Sequence, residues 1–195
     1  MVVYVNEKKR GRKKKYSEIL GQFGVFNVLY IILKEAVLSL FFYSRSRYAH
    51  SLNIDDCDLI AFLKLVTIIN KPKYIFSIGC PCFIPPSLAH GNNEIKLINL
   101  HGGIIPYQRG RFSPLKSLQR GDKYIGCSIH EISSDFDSGP LISQAFFEVK
   151  STSKLGIYNK TLSLSRQLVE DFFNGKVHKV PEEILLELSK IHHSI

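Results

Sequence analysis

Ile95-Lys96-Leu97-Ile98-Asn99-Leu100-His101-Gly102-Gly103 is the stretch whose reading decides the fold. Its first six residues are apolar and β-branched enough for a strand, and the glycine pair ends it. Side chains alternate along an extended strand, so Asn99 and His101 leave the same face at its carboxyl end. An amide donor and an imidazole converge there. Gly102 and Gly103 let backbone come close to a ligand, while Pro106 and the pair Arg109-Gly110 stiffen the loop that follows.

Outward from this stretch, strands and helices alternate. Upstream, Lys73-Tyr74-Ile75-Phe76-Ser77-Ile78 reads as a strand closed by Gly79, and Val2-Val3-Tyr4-Val5 as the first strand. Residues 16–42 carry the apolar density of one or two helices, and 53–65 read as a connection and a short helix. Downstream, a helix is expected over 111–120, strands over 125–131 and 141–149, an amphipathic helix over 152–174 and a short helix over 182–192. The pattern predicts an α/β fold, Rossmann-like, with a mostly parallel sheet flanked by helices. In such sheets ligands bind beyond the carboxyl ends of the strands, where Gly79, Asn99 and His101 all fall. One domain is expected over 1–178, with a basic loop at 7–15, and a carboxy-terminal tail over 179–195.

Composition sets the broad class. A chain of 195 residues, 45% hydrophobic and 22% charged, can bury a core and is not a disordered one. The formal net charge of +9 is concentrated: Lys8, Lys9, Arg10, Arg12, Lys13, Lys14 and Lys15 stand against Glu7 alone. Only Tyr16 adjoins this run, so it makes no stacking platform for single strands and reads as a solvated loop. Nucleic acid is not an expected partner, and a membrane surface is the minor alternative. Residues 24–42 are apolar, but Lys34 and Glu35 in their middle argue against a membrane span. Cys57, Cys80, Cys82 and Cys127 read as small buried residues of a cytoplasmic protein. Cys80-Pro81-Cys82 lacks a second ligand pair, so no metal is expected.

A second signal is His130-Glu131-Ile132-Ser133-Ser134-Asp135-Phe136-Asp137-Ser138-Gly139-Pro140, a polar loop that could carry Asp137 to the same crevice. Singly, these residues have plainer roles: Asn99 capping a turn, His101 as a satisfied core histidine, Asp137 bonded to its own turn. His130, beside Glu131, reads as half of a surface pair. Taken together, Asn99-Leu100-His101, the Pro106 to Gly110 loop, Gly126-Cys127-Ser128-Ile129-His130 and Asp137-Ser138-Gly139 resemble the folate-dependent formyltransferases. That family includes the glycinamide ribonucleotide, methionyl-tRNA and sugar-nucleotide formyltransferases. Order and spacing agree over about 73–149.

The resemblance implies 10-formyltetrahydrofolate as the formyl donor and a small-molecule primary amine as acceptor, with Asn99, His101 and Asp137 as the catalytic residues. It implies a pterin cradle built from Gly79, Cys80, Pro81, Cys82 and Phe83 on one side and Ile132, Ser133, Ser134, Asp135 and Phe136 on the other. Gly102, Gly103 and Arg109 are the residues expected to face the acceptor. The family's first strand, glycine turn and helix have no counterpart before Val2, so the fold is expected to be amino-terminally truncated. The absence of a barrel domain after Val149 favours a nucleotide-linked amino sugar or another small phosphorylated amine over tRNA. Three other readings stand beside formyl transfer: a formyltetrahydrofolate hydrolase, an inactive folate-binding module and a basic peripheral protein.

Overall fold

The computed structural model describes residues 2–6, 49–53, 63–64, 72–79, 83–89, 95–150 and 153–192. The chain divides into two compact units, Met1–Leu65 and Val66–Ile195. In the first, β1 (Val2–Asn6) pairs in parallel with β2 (Ala49–Asn53). The expected first strand is therefore present. Strand β2 was not anticipated, because Ala49-His50-Ser51-Leu52-Asn53 lacks the β-branched density that marks a strand. The basic run and the apolar residues 16–42 lie outside the described residues.

The second unit holds β3 (Tyr74–Ile78), β4 (Lys96–His101), β5 (Tyr124–Glu131) and β6 (Leu141–Glu148), with α1 (Ser113–Arg120), α2 (Lys154–Phe173) and α3 (Glu182–His192). These strands form one sheet in the order β3-β4-β5-β6. The pairing of β3 with β4 is parallel, and β5 and β6 continue the sheet antiparallel. The α/β, Rossmann-like expectation thus holds, this sheet combining one parallel pairing, β3–β4, with two antiparallel ones. Residues 132–140 form a loop and not a crossover helix, so β6 must return antiparallel to β5.

Alternation along β4 and β5 assigns the two faces of the sheet. Ile98, Cys127 and Ile129 point one way and are buried with Leu168 of α2, flanked by Tyr74, Phe76 and Phe172. Burial pushes the Cys127 thiol up to about 12, so this cysteine behaves as an apolar core residue. Helix α2 is capped by Ser153, whose hydroxyl accepts from the Gly156 N–H and satisfies one of the donors that a helix start leaves open. Helix α1 starts later than residue 111 because Pro114 sits in its first turn, where its missing N–H costs nothing.

Helix α3 is not an appendage. Val180, Ile184 and Leu188 are buried together with Ile104 of the loop after β4. The segment leading to α3 is pinned to β6: Gln144 N–H donates to the His178 carbonyl at 2.9 Å, and His178 N–H to Ser143 Oγ at 2.9 Å. No helix among the described residues is long and apolar enough to cross a membrane.

Candidate active site

The sheet face opposite Ile98 and Ile129 carries the polar residues. Antiparallel pairing sets Asn99 opposite His130 and His101 opposite Ser128, so the period-two rule that aligns Asn99 with His101 also aligns Ser128 with His130. Between Ile129 and His130 the register with β6 shifts, Ser143 facing Ile129 and Leu141 facing His130, so Ile142 of β6 is the extra residue beside this cluster.

His101 is buried, with both ring nitrogens facing acceptors. Nε2–H donates to the Gln108 carbonyl at 2.6 Å, and Nδ1 stands 3.3 Å from Asp137 Oδ1. A carbonyl oxygen can only accept, so Nε2 carries a proton. A second proton on Nδ1 would complete the hydrogen bond to the carboxylate, where a lone pair would oppose it. Asp137 does not bond its own turn. Its Oδ2 accepts from the Gly110 N–H at 2.8 Å, which ties the loop after β5 to the loop after β4. Asp137 holds a left-handed backbone at φ 52°, a conformation that Asp tolerates better than most residues.

The loop that fixes the Gln108 carbonyl is itself held from inside. The fully buried Gln108 side chain accepts from Ile104 N–H at 3.0 Å and donates to Asp122 Oδ2 at 2.9 Å and the Tyr124 carbonyl at 2.7 Å. Arg120 completes the Asp122 carboxylate at 2.9 Å. Ser128 Oγ donates to the Gly103 carbonyl and accepts from Ile105 N–H and Gln144 Nε2. Buried polar groups satisfied this fully act as rigid supports.

Of the two glycines, Gly103 is the one the chain's own packing requires. A Cβ on Gly103 would run into the Gln108 carbonyl, the Ser113 hydroxyl and His101 Nε2. Gly102 meets only Pro114 and Thr161, at 3.6 Å or more, and its carbonyl accepts from Ser113 Oγ. Arg109 is exposed, and its charge reaches His130.

His130 is the residue that sequence reasoning missed. It is 2% exposed, and Glu131, its supposed surface partner, pairs instead with Lys96 at 3.2 Å. Its Nδ1–H donates to the Glu131 carbonyl at 2.8 Å, which leaves Nε2 as an acceptor for Asn99 Nδ2 at 3.1 Å. Asp137 Oδ1 lies 3.9 Å from the same nitrogen. Burial pushes the His130 imidazole below its ordinary range, outweighing the opposite pull of the Glu131 carbonyl and Asp137. The alternation Ser128-Ile129-His130 was the available signal.

Of the segments expected to hold the pterin, Cys80, Pro81 and Cys82 lie outside the described residues. Gly79 is exposed at φ 59° with open space where a side chain would be. Phe83 and Phe136 meet edge to face at 5.3 Å, so the two segments touch through a pair of rings that are 39% and 73% exposed. Ile132 N–H is engaged by the Leu97 carbonyl, and Ser133 and Ser138 tie the loop to the Asp135 carbonyl while Ser134 and Asp135 face outward. Among the described residues no group of three or more His, Cys, Asp or Glu side chains is arranged to hold a metal ion.

A Rossmann-like sheet whose strand end gathers Asn99, His101 and Asp137 defines a class, and the chain belongs to the formyl transferase family, whose model matches residues 66–169. It is 30% identical over 120 residues to the dTDP-4-amino-4,6-dideoxyglucose formyltransferase of Mycobacterium tuberculosis, covering 61% of this chain and 49% of that protein. It is 27% identical over 139 residues to the methionyl-tRNA formyltransferase of Hydrogenobaculum, covering 68% of this chain and 45% of that protein. The fold matches the crystal structure of phosphoribosylglycinamide formyltransferase from Campylobacter jejuni with a TM-score of 0.55 at 23% identity, over 64% of this chain and 69% of that one. The chain spans about half the length of these curated relatives.

Proposed function

We propose that the protein transfers a formyl group from 10-formyltetrahydrofolate to a primary amine on a nucleotide-linked amino sugar or a similar small phosphorylated acceptor. The observation that carries this is the convergence of Asn99, His101 and Asp137 on one strand end, with the His101–Asp137 contact at 3.3 Å. The chain's similarity to a dTDP-amino sugar formyltransferase supports the choice of acceptor. A cytoplasmic setting in one-carbon metabolism goes with that donor.

The exposed rings of Phe83 and Phe136 suit a flat heteroaromatic ligand, since aromatic faces favour offset or edge contacts. When bound, 10-formyltetrahydrofolate supplies an activated formyl carbon whose oxygen gains negative charge as the amine attacks. Asn99 donates an amide N–H to that oxygen, a stabilisation worth about 3 to 4 kcal/mol where such donors are removed from enzymes. Asp137 holds the His101 ring in place; the proton shed by the amine passes into the His101–Asp137 pair, directly or through a water, and returns to the folate nitrogen as its bond to the formyl carbon breaks and tetrahydrofolate leaves. Arg109, exposed beside the loop, meets the acceptor's phosphates.

The test is incubation of the full chain with 10-formyltetrahydrofolate and a panel of amines, following tetrahydrofolate by absorbance and products by mass. An amino sugar gaining one formyl group is the expected result. Formate without any amine product would make the protein a hydrolase, and donor binding without turnover would make it a binding module. Co-sedimentation with anionic vesicles in place of donor binding would favour the peripheral reading.

A further inference from the structure

Asn99 has two chemically opposite ends, and the proposed reaction needs the donor end. An amide can turn over about its last torsion at little cost unless something outside it prefers one orientation. In this site that outside group is His130. Its Nδ1 faces the Glu131 carbonyl at 2.8 Å, so the neutral ring must carry its proton there and present a lone pair at Nε2. That lone pair accepts from Asn99 Nδ2 at 3.1 Å and would repel Oδ1 in the turned-over amide. Strand pairing adds a second constraint, because Asn99 and His130 are direct partners across β4 and β5.

We infer that His130 is a positioning residue that locks the Asn99 amide in one orientation, committing one Nδ2 hydrogen to His130 and leaving the other free to stabilise the reacting oxygen. The inference rests on the transferase reading given above. His101, Asp137, Arg109 and Glu131 are the other titratable groups whose charge or carbonyl acts on His130. Its depth in the sheet keeps the ring neutral, the only state in which Nε2 can accept.

Two substitutions separate positioning from plain structural support. His130→Gln sets a side-chain oxygen near the place of Nε2 and so keeps an acceptor for Asn99. His130→Asn keeps a donor near Nδ1 and removes that acceptor. The expected result is a kcat for His130→Asn lowered by up to about 100-fold, the scale of a misplaced catalytic group, with KM for donor and amine nearly unchanged. His130→Gln recovers most of the loss. Equal kcat for the two variants, or a loss that appears in KM, overturns the inference. A second readout needs no turnover: nitrogen NMR of the resting protein is expected to show His130 as the Nδ1–H tautomer, with an Asn99 side-chain N–H coupled to Nε2. The Nε2–H tautomer at neutral pH overturns it as well. If the wild-type chain forms no product from any amine, the transferase reading fails, while the spectra still decide the His130–Asn99 lock.

Discussion

His101 Nδ1 stands 3.3 Å from Asp137 Oδ1 while the other oxygen of the same carboxylate accepts from Gly110 N–H at 2.8 Å. One side chain thus orients the imidazole and joins the loops that follow β4 and β5. Asp137→Asn keeps an acceptor and the bulk of the side chain but removes the charge from beside the ring. Its kcat is expected to fall at least about 100-fold, within the range for loss of acid–base assistance. KM should change far less. Steady-state kinetics with the best amine check this, and an unchanged kcat would remove Asp137 from the proton path.

The glycines after β4 make a matched pair. Gly103→Ala drives a methyl into the Gln108 carbonyl, which is held by a buried network and cannot withdraw. A destabilisation of about 1 to 3 kcal/mol is expected, as for overpacking elsewhere. Gly102→Ala meets its nearest neighbours at 3.6 Å, ordinary contact distance, and is expected to melt close to wild type. Thermal denaturation of the two variants side by side is decisive. Equal melting temperatures would show that the loop yields.

Much of the fold was legible because periodicity is a local property. The apolar runs at 73–78 and 95–100 became β3 and β4, and Glu182–His192 is α3 as expected. The alignment of Asn99 with His101 also followed from alternation within one strand. What local pattern does not contain is which strand lies beside which. His130 looked like a surface residue beside Glu131 because its true neighbour, Asn99, is distant in sequence and reached only by antiparallel pairing. The role of Gly103 was obscured in the same way. The group that forbids its side chain is a backbone carbonyl, and no residue type announces where a carbonyl will point.

Asp122 supports the site without touching it. Its buried carboxylate binds Gln108 Nε2 at 2.9 Å and Arg120 at 2.9 Å. Asp122→Ala leaves an amide donor and a guanidinium short of a partner, although Arg120 retains some contact with water. A loss of about 3 kcal/mol is expected, the lower end for breaking a buried pair. Because Gln108 carries the carbonyl that fixes His101, the same variant should lose kcat in excess of its unfolded fraction. Urea denaturation and kinetics on one preparation test both halves. Full activity per folded molecule would confine Asp122 to stability.

The depressed His130 imidazole gives stability a definite pH dependence. In the unfolded chain the ring takes up its proton near the ordinary value of 6.5, while in the fold burial holds it neutral to lower pH. Between those two points the unfolded state binds more protons, so stability rises with pH. The contribution is complete above the unfolded value and is lost as pH falls through the folded one. Urea midpoints of the wild type should therefore decline from about pH 7 downward more steeply than those of His130→Gln, which cannot titrate there. Parallel declines would mean that His130 is as readily protonated folded as unfolded. In that case Nε2 would carry a proton in mildly acid solution, and the Asn99 amide would be free to turn its oxygen toward it.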